Sequence, residues 1–183
     1  MDFRDITEFI RDIWSYLVIV LILVIIFTFL VSFQPVAGNS MYPNLEEGNV
    51  IVISRFSYKM GKPKRNEIVV LKAEDNKSFV KRIIGLPGEK VEYMDNILYI
   101  NNEPYRESFL GEGIKTGNFL FEDICKEEDC PDGVIPEGMY MVMGDNRPQS
   151  EDSRTAAFGL VKKDQLKGKM FIRIWPVNKI GKV

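Results

Sequence analysis

The 183-residue chain contains no histidine, and that absence closes several chemistries at once. A Ser-His-Asp triad, a Cys-His dyad, an HExxH zinc site and His-liganded iron all require an imidazole. Proton transfer near neutral pH then falls to a Lys, carboxylate, Cys or Tyr whose pKa has been shifted. Cysteine is nearly absent too: Cys125 and Cys130 are too few for a structural zinc site or an iron–sulfur cluster. No phosphate-binding loop or dinucleotide fingerprint is present, since GEGIKTG at 111–117 has the wrong glycine spacing for either. No cofactor is therefore expected, and a cofactor-free hydrolase, a binding module and a structural protein remain open.

Charge is missing from one long stretch. Between Ile13 and Leu45 there is no Asp, Glu, Lys or Arg, and Trp14 to Phe33 forms a 20-residue run interrupted only by Ser and Thr. About 20 helical residues span the hydrocarbon core of a bilayer. Trp14 and Tyr16 suit one headgroup boundary and Phe33 the other. A buried core helix would carry a charged stripe for solvent. A cleaved secretory signal has a shorter apolar region after a basic start, whereas four acids and two bases precede this one, and Val36-Ala37-Gly38 is a poor cleavage site. The expectation is a cytoplasmic N-terminus at 1–13, a transmembrane anchor at 14–33 and an extracytoplasmic domain at 34–183. Orientation follows from Arg4 and Arg11 before the span, against no Lys or Arg after it until Arg55.

The expected outer domain holds 22 bases and 22 acids, a balance that argues against nucleic acid as its main partner. Residues 102–135 carry nine acids against three bases and read as an inserted acidic loop or small subdomain. Cys125 and Cys130 lie within it, either as a disulfide or as two free thiols. Elsewhere the pattern is mainly β. NVIVI (49–53), EIVVLK (67–72) and KMFIRIW (169–175) read as strands, and VEYM-DN-ILYI (91–100) as a hairpin turning on Asp95-Asn96. No stretch after Leu45 predicts a helix of more than two or three turns. Asn76-Lys77-Ser78 matches a glycosylation sequon.

Three segments carry candidate chemistry. GNSMYPNL (38–45) presents one Ser among small and turn-forming residues; its bland alternative is a linker leaving the bilayer. SFVKRIIGLPGE (78–89) sets Lys81 among Phe, Val and Ile. A strand Lys that points outward snorkels, whereas one that points inward loses charge stabilisation, and its pKa falls from about 10.4 towards the range of a general base. MGDNRPQSEDSR (143–154) is either a solvated loop or a hydrogen-bonded wall around a catalytic group.

Together, in this order, the three segments resemble the bacterial type I signal peptidases, membrane-bound serine proteases with a Ser-Lys dyad, and most of all the short single-anchor forms of Gram-positive bacteria. The resemblance implies a signal-peptidase-like β domain, Ser40 as nucleophile and Lys81 as general base. It matches Ser150 to the hydroxyl that orients the Lys amine, and Asp145, Asp152, Arg154 and Arg82 to a supporting ion-pair network. Gly38 stands where some relatives have a hydroxyl donor to the oxyanion, which leaves the Ser40 backbone N–H and a further donor. The implied partners are the lipid bilayer and exported preproteins, cut after a small-x-small site. The alternative is a catalytically silent, membrane-anchored homologue that binds exported proteins. Two departures stand out: Thr155-Ala156-Ala157 precede Phe158-Gly159, and Asn66-Glu67 replace the family's usual Gly-Asp.

Overall fold

Long apolar side chains without interruption by Pro or Gly favour a helix, and α1 spans Phe3–Leu30 in the computed structural model. The structure describes residues 3–72, 77–111, 113–126, 128–155 and 157–183; Asn76 of the sequon lies outside them. From Arg11 to Leu30 the helix has a mean hydropathy of 2.9 and none of it is buried against the rest of the chain. It begins earlier than the expected span and stops before Phe33. Val31–Pro35 forms strand β1 instead. Pro35 cannot continue a helix and biases its predecessor to extended backbone. A sheet partner also receives the freed backbone groups, and Arg55 seals the junction by donating from its N–H to Leu30 O (3.0 Å) and from Nη2 to Ser32 Oγ (2.9 Å).

Among the described residues the remaining strands are β2 (Val50–Ser54), β3 (Ile68–Lys72), β4 (Ser78–Gly85), β5 (Val91–Met94), β6 (Ile97–Ile100), β7 (Glu103–Tyr105), β8 (Met139–Met143), β9 (Val161–Lys162) and β10 (Leu166–Trp175). They make a seven-stranded sheet in the order β1-β2-β10-β3-β4-β8-β9 and a three-stranded sheet β5-β6-β7. Every pairing is antiparallel. The fold is mainly β with one long apolar helix, and the helical segments after it are single turns.

The hairpin expected at 91–100 is present, and Asp95 (φ 51°) and Asn96 (φ 63°) both take the left-handed conformation that a tight two-residue turn demands. A second such turn, Asn101 (φ 53°) and Asn102 (φ 67°), joins β6 to β7. The acidic stretch expected to begin an insertion at 102 therefore supplies a strand of the small sheet. Its later part, with Phe119, Phe121, Ile124, Cys130 and Ile135, packs on Val91, Tyr93, Leu98 and Ile100 in one apolar cluster. Cys125 and Cys130 form a disulfide.

Strand β4 sits between β3 and β8, and its last six residues are all buried. One of its faces joins Val80 to Met41, Leu45, Ile51, Ile68 and Val70; the other joins Ile83 to Val69, Leu71, Tyr140 and Val142. The large sheet thus has apolar clusters on both faces, and the two cations of β4, Lys81 and Arg82, are embedded at its centre.

Candidate active site

Adjacent residues on a strand point to opposite faces, so Lys81, opposite Val69, and Arg82, opposite Ile68, leave β4 in opposite directions. Both are 3% exposed. Arg82 resolves its burial in a two-pronged pair with Asp145: Nε to Oδ1 at 2.8 Å and Nη2 to Oδ2 at 2.7 Å. Its Nη1 donates to Asn66 O (2.9 Å). Lys81 has no such partner; among the described residues no carboxylate lies within ion-pair distance of its Nζ. Nζ is 2.8 Å from Ser150 Oγ and 6.0 Å from the centre of the Phe158 ring, which packs on Phe79. Burial pushes the Lys81 pKa below the ordinary lysine value; the Asp152 charge opposes that shift and Arg154 adds to it.

The Ser150 loop is fixed by a second ion pair. Arg154 Nε and Nη2 reach Asp152 Oδ1 and Oδ2 at 2.8 and 2.9 Å, Gly144 N–H donates to Asp152 Oδ2 (2.9 Å), and Arg154 Nη2 donates to Arg147 O (2.8 Å). Burial alone would raise the Asp152 carboxyl, yet the Arg154 guanidinium and the Gly144 N–H together hold it below its ordinary range.

Ser40 follows Val36, a core residue, and precedes Met41, also core, so a short loop pinned at both ends presents it. The Asn146 N–H donates to Ser40 O (2.9 Å) and Asn146 Nδ2 to Asn39 O (3.0 Å). Asn44 Nδ2 donates to Asp145 Oδ2 (2.8 Å). Gly144 lies between the Ser40 loop and Ser150: a Cβ there would stand 2.4 Å from Ser40 O and 2.2 Å from Ser150 Oγ. The Ser40 loop and the hydroxyl bonded to Lys81 are therefore packed against one backbone position that has room only for hydrogen. Gly38 has φ +74° and open space where a side chain would be.

The structure thus brings the loop of Ser40, Lys81, Ser150 and both arginine–aspartate pairs to one region. Asn44, Gly144 and Asn146 belong to it as well. Sequence reasoning missed them because their contribution is a hydrogen bond or a missing Cβ, and neither leaves a charge pattern. Asn66 explains one family departure: its φ of +67° is a conformation that Gly adopts freely and Asn tolerates, and its Nδ2 also reaches Tyr105 Oη (2.8 Å). Chemically, an uncharged amine held by a hydroxyl in apolar surroundings can act as a base where imidazole is absent.

A mainly β domain after one apolar helix, with a buried Lys bonded to a Ser and no carboxylate beside it among the described residues, fits a histidine-free hydrolase. Comparison with known proteins identifies the family. The family described as "Signal peptidase, peptidase S26" matches residues 7–175. Signal peptidase IB of Staphylococcus aureus is 38% identical over 178 residues, covering 93% of this chain and 92% of the relative. Signal peptidase I of Bacillus caldolyticus is 37% identical over 176 residues, covering 92% of each. A crystal structure of a signal peptidase I from Enterococcus faecalis covers 60% of this chain and 97% of that one, at 36% identity and a TM-score of 0.51. The chain belongs to the signal peptidase I family of serine endopeptidases.

Proposed function

We propose that this protein removes N-terminal signal peptides from exported preproteins after a small-x-small site, with Ser40 as nucleophile and Lys81 as general base. The observation that carries this reading is the state of Lys81: buried, bonded to Ser150, without a carboxylate partner among the described residues, and lowered in pKa. Ser40 Oγ attacks the scissile carbonyl carbon while Lys81 Nζ takes the hydroxyl proton. The tetrahedral oxyanion is held by the Ser40 backbone N–H; Gly38 supplies no side-chain donor. Collapse breaks the C–N bond, and the Lys81 ammonium gives its proton to the leaving amine. Lys81 then deprotonates a water that attacks the acyl-Ser40 ester, which frees the signal peptide's carboxylate and restores Ser40. Ser150 orients the Lys81 amine, and the Arg82–Asp145 and Arg154–Asp152 pairs keep the loops in place.

The apolar helix is a single membrane anchor, with the N-terminus cytoplasmic and the domain after it outside. Ser40 lies ten residues past Leu30, the last helical residue, which sets the reaction at the outer membrane surface where a membrane-inserted signal peptide emerges.

Cleavage of a secretory preprotein by the detergent-solubilised full chain, beside Ser40→Ala and Lys81→Met variants with unchanged circular dichroism, tests the reading. Wild type alone should cut, at the small-x-small site. A folded wild type that cuts no preprotein, or a Ser40→Ala protein as active as wild type, overturns it.

A further inference from the structure

The stretch Glu107–Phe109 of the acidic region touches the side chains and backbone that join the three catalytic segments, and nothing in the reaction above uses it. The Glu107 carboxylate, 5% exposed, forms a two-pronged ion pair with Arg147, whose side chain is fully buried. Tyr93 Oη donates to Glu107 Oε2 as well (2.7 Å). Arg147 uses its remaining donors on Thr116 Oγ1 (3.0 Å) and on Gly144 O (3.0 Å), the carbonyl of the residue wedged between Ser40 O and Ser150 Oγ. Two residues on, the Phe109 ring lies 4.1 Å from the Arg82 guanidinium carbon, against the cation beside Lys81, and 6.0 Å from that of Arg147. The Phe109 carbonyl accepts from Asn44 Nδ2 at 2.9 Å, and the same amide donates to Asp145.

We infer that Glu107 and Phe109 are positioning residues of the catalytic centre: through Arg147, Arg82 and Asn44 they hold the Ser150 loop, the Lys81 strand and the Ser40 loop in mutual register. This rests on the Ser40–Lys81 reading above. A guanidinium already bidentate to Asp145 can still rock out of the plane of that pair, and the aromatic face over its carbon limits that motion. An aliphatic side chain of similar size fills the volume without the flat, electron-rich face. Likewise, the Glu107 charge is what allows Arg147 to remain fully buried while pointing at Gly144. A misplacement of about 1 Å from a remote substitution can lower turnover about 10²-fold.

The test compares Phe109→Leu and Phe109→Tyr in the full-length enzyme, each checked for folding, with kcat and KM measured on one preprotein. Phe109→Leu should lose about 10²-fold in kcat at unchanged KM, whereas Phe109→Tyr should turn over as wild type. The Leu variant should also keep the midpoint of the acidic limb of the pH profile, since the groups around Lys81 are untouched. Glu107→Gln, which keeps the shape but drops the charge and replaces one of the two acceptor oxygens by an amide NH2, should show the same kcat loss and serves as the second probe if the Leu variant misfolds. Leu turning over like wild type, Tyr falling as far as Leu, or losses confined to KM would each overturn the proposal. Those results, obtained with Ser40→Ala inactive, leave the dyad reading intact; its own failure shows instead as an active Ser40→Ala.

Discussion

Gly144 shows what a single residue decides here. Because its absent Cβ leaves space for both Ser40 O and Ser150 Oγ, even a methyl group must push the Ser40 loop away from the hydroxyl bonded to Lys81. Gly144→Ala is expected to lower kcat by about 10²-fold, measurable on a preprotein substrate, with a much smaller effect on KM. Lys81 sets the pH response. Its amine must be uncharged to accept the Ser40 proton, so kcat/KM should rise with pH through its lowered pKa and be weak in acid. A flat profile from pH 5 to 9 with stable enzyme and substrate would contradict the assignment. The same shift acts on stability. A lysine whose folded pKa lies below its unfolded value opposes folding wherever the unfolded chain holds the extra proton. That penalty is complete below the folded pKa and vanishes as pH rises past the unfolded one. Replacing Lys81 by Met removes it, so the Tm advantage of Lys81→Met over wild type should shrink as pH rises through the folded pKa towards the ordinary lysine value.

At the scale of elements, β4 is where the site is built. Its central place between β3 and β8 brings Lys81 and Arg82 out of water on opposite faces, and among the described residues only Arg82 receives a counter-charge. The Arg82–Asp145 pair, 3% and 0% exposed, costs much to break from one side, because the other charge stays buried. Arg82→Ala should therefore destabilise the fold by about 3–5 kcal/mol in urea titration, and removing the carboxylate too, in an Arg82→Ala/Asp145→Ala pair, should recover part of that loss. The turn at Asn66 links this strand to the small sheet: Arg82 donates to its carbonyl and Tyr105 accepts from its side chain. Arg65, beside it, reaches Glu89 and lies over the Tyr105 ring. The two sheets are thus joined by cations and amides that flank the site.

For the whole molecule, α1 passes into β1 with no linker, which fixes the large sheet close to the end of the apolar helix. The outer side of β1, β2 and β10 carries Phe33, Val52 and Ile172 in one cross-strand row and Pro35, Val50 and Trp175 in the next. Phe33 and Trp175 are more than half exposed. With α1 as the proposed anchor, an apolar, aromatic-bearing face continuous with it is expected at the lipid interface. In a Trp14→Phe protein reconstituted into vesicles, Trp175 is the only indole left, and lipids brominated near the headgroup should quench its fluorescence. Emission unaffected by them would place this face in water.

The segments that make up the candidate site were legible in the sequence because local features carry them. A histidine-free composition, one uncharged 20-residue run, a Ser in a small-residue loop and a Lys among apolar neighbours are all readable without neighbours in space, as was the Asp95-Asn96 turn. The helix end at Leu30 was not, because Val31–Phe33 are as apolar as the helix before them, and only pairing with β2 makes them a strand. Nor could the chain alone choose between a disulfide and free thiols at Cys125 and Cys130, or say whether Lys81 points inward. Both depend on distances set by packing. The acidic stretch shows the division most clearly. Its charge is a property of sequence, while the burial of Glu107 on Arg147 and of Phe109 on Arg82 exists only after strands remote in the chain are brought together. Sequence determined which groups are present; the tertiary structure decided which charges are paired, which amine meets a hydroxyl and, among the described residues, no carboxylate, and which backbone has no room for a side chain.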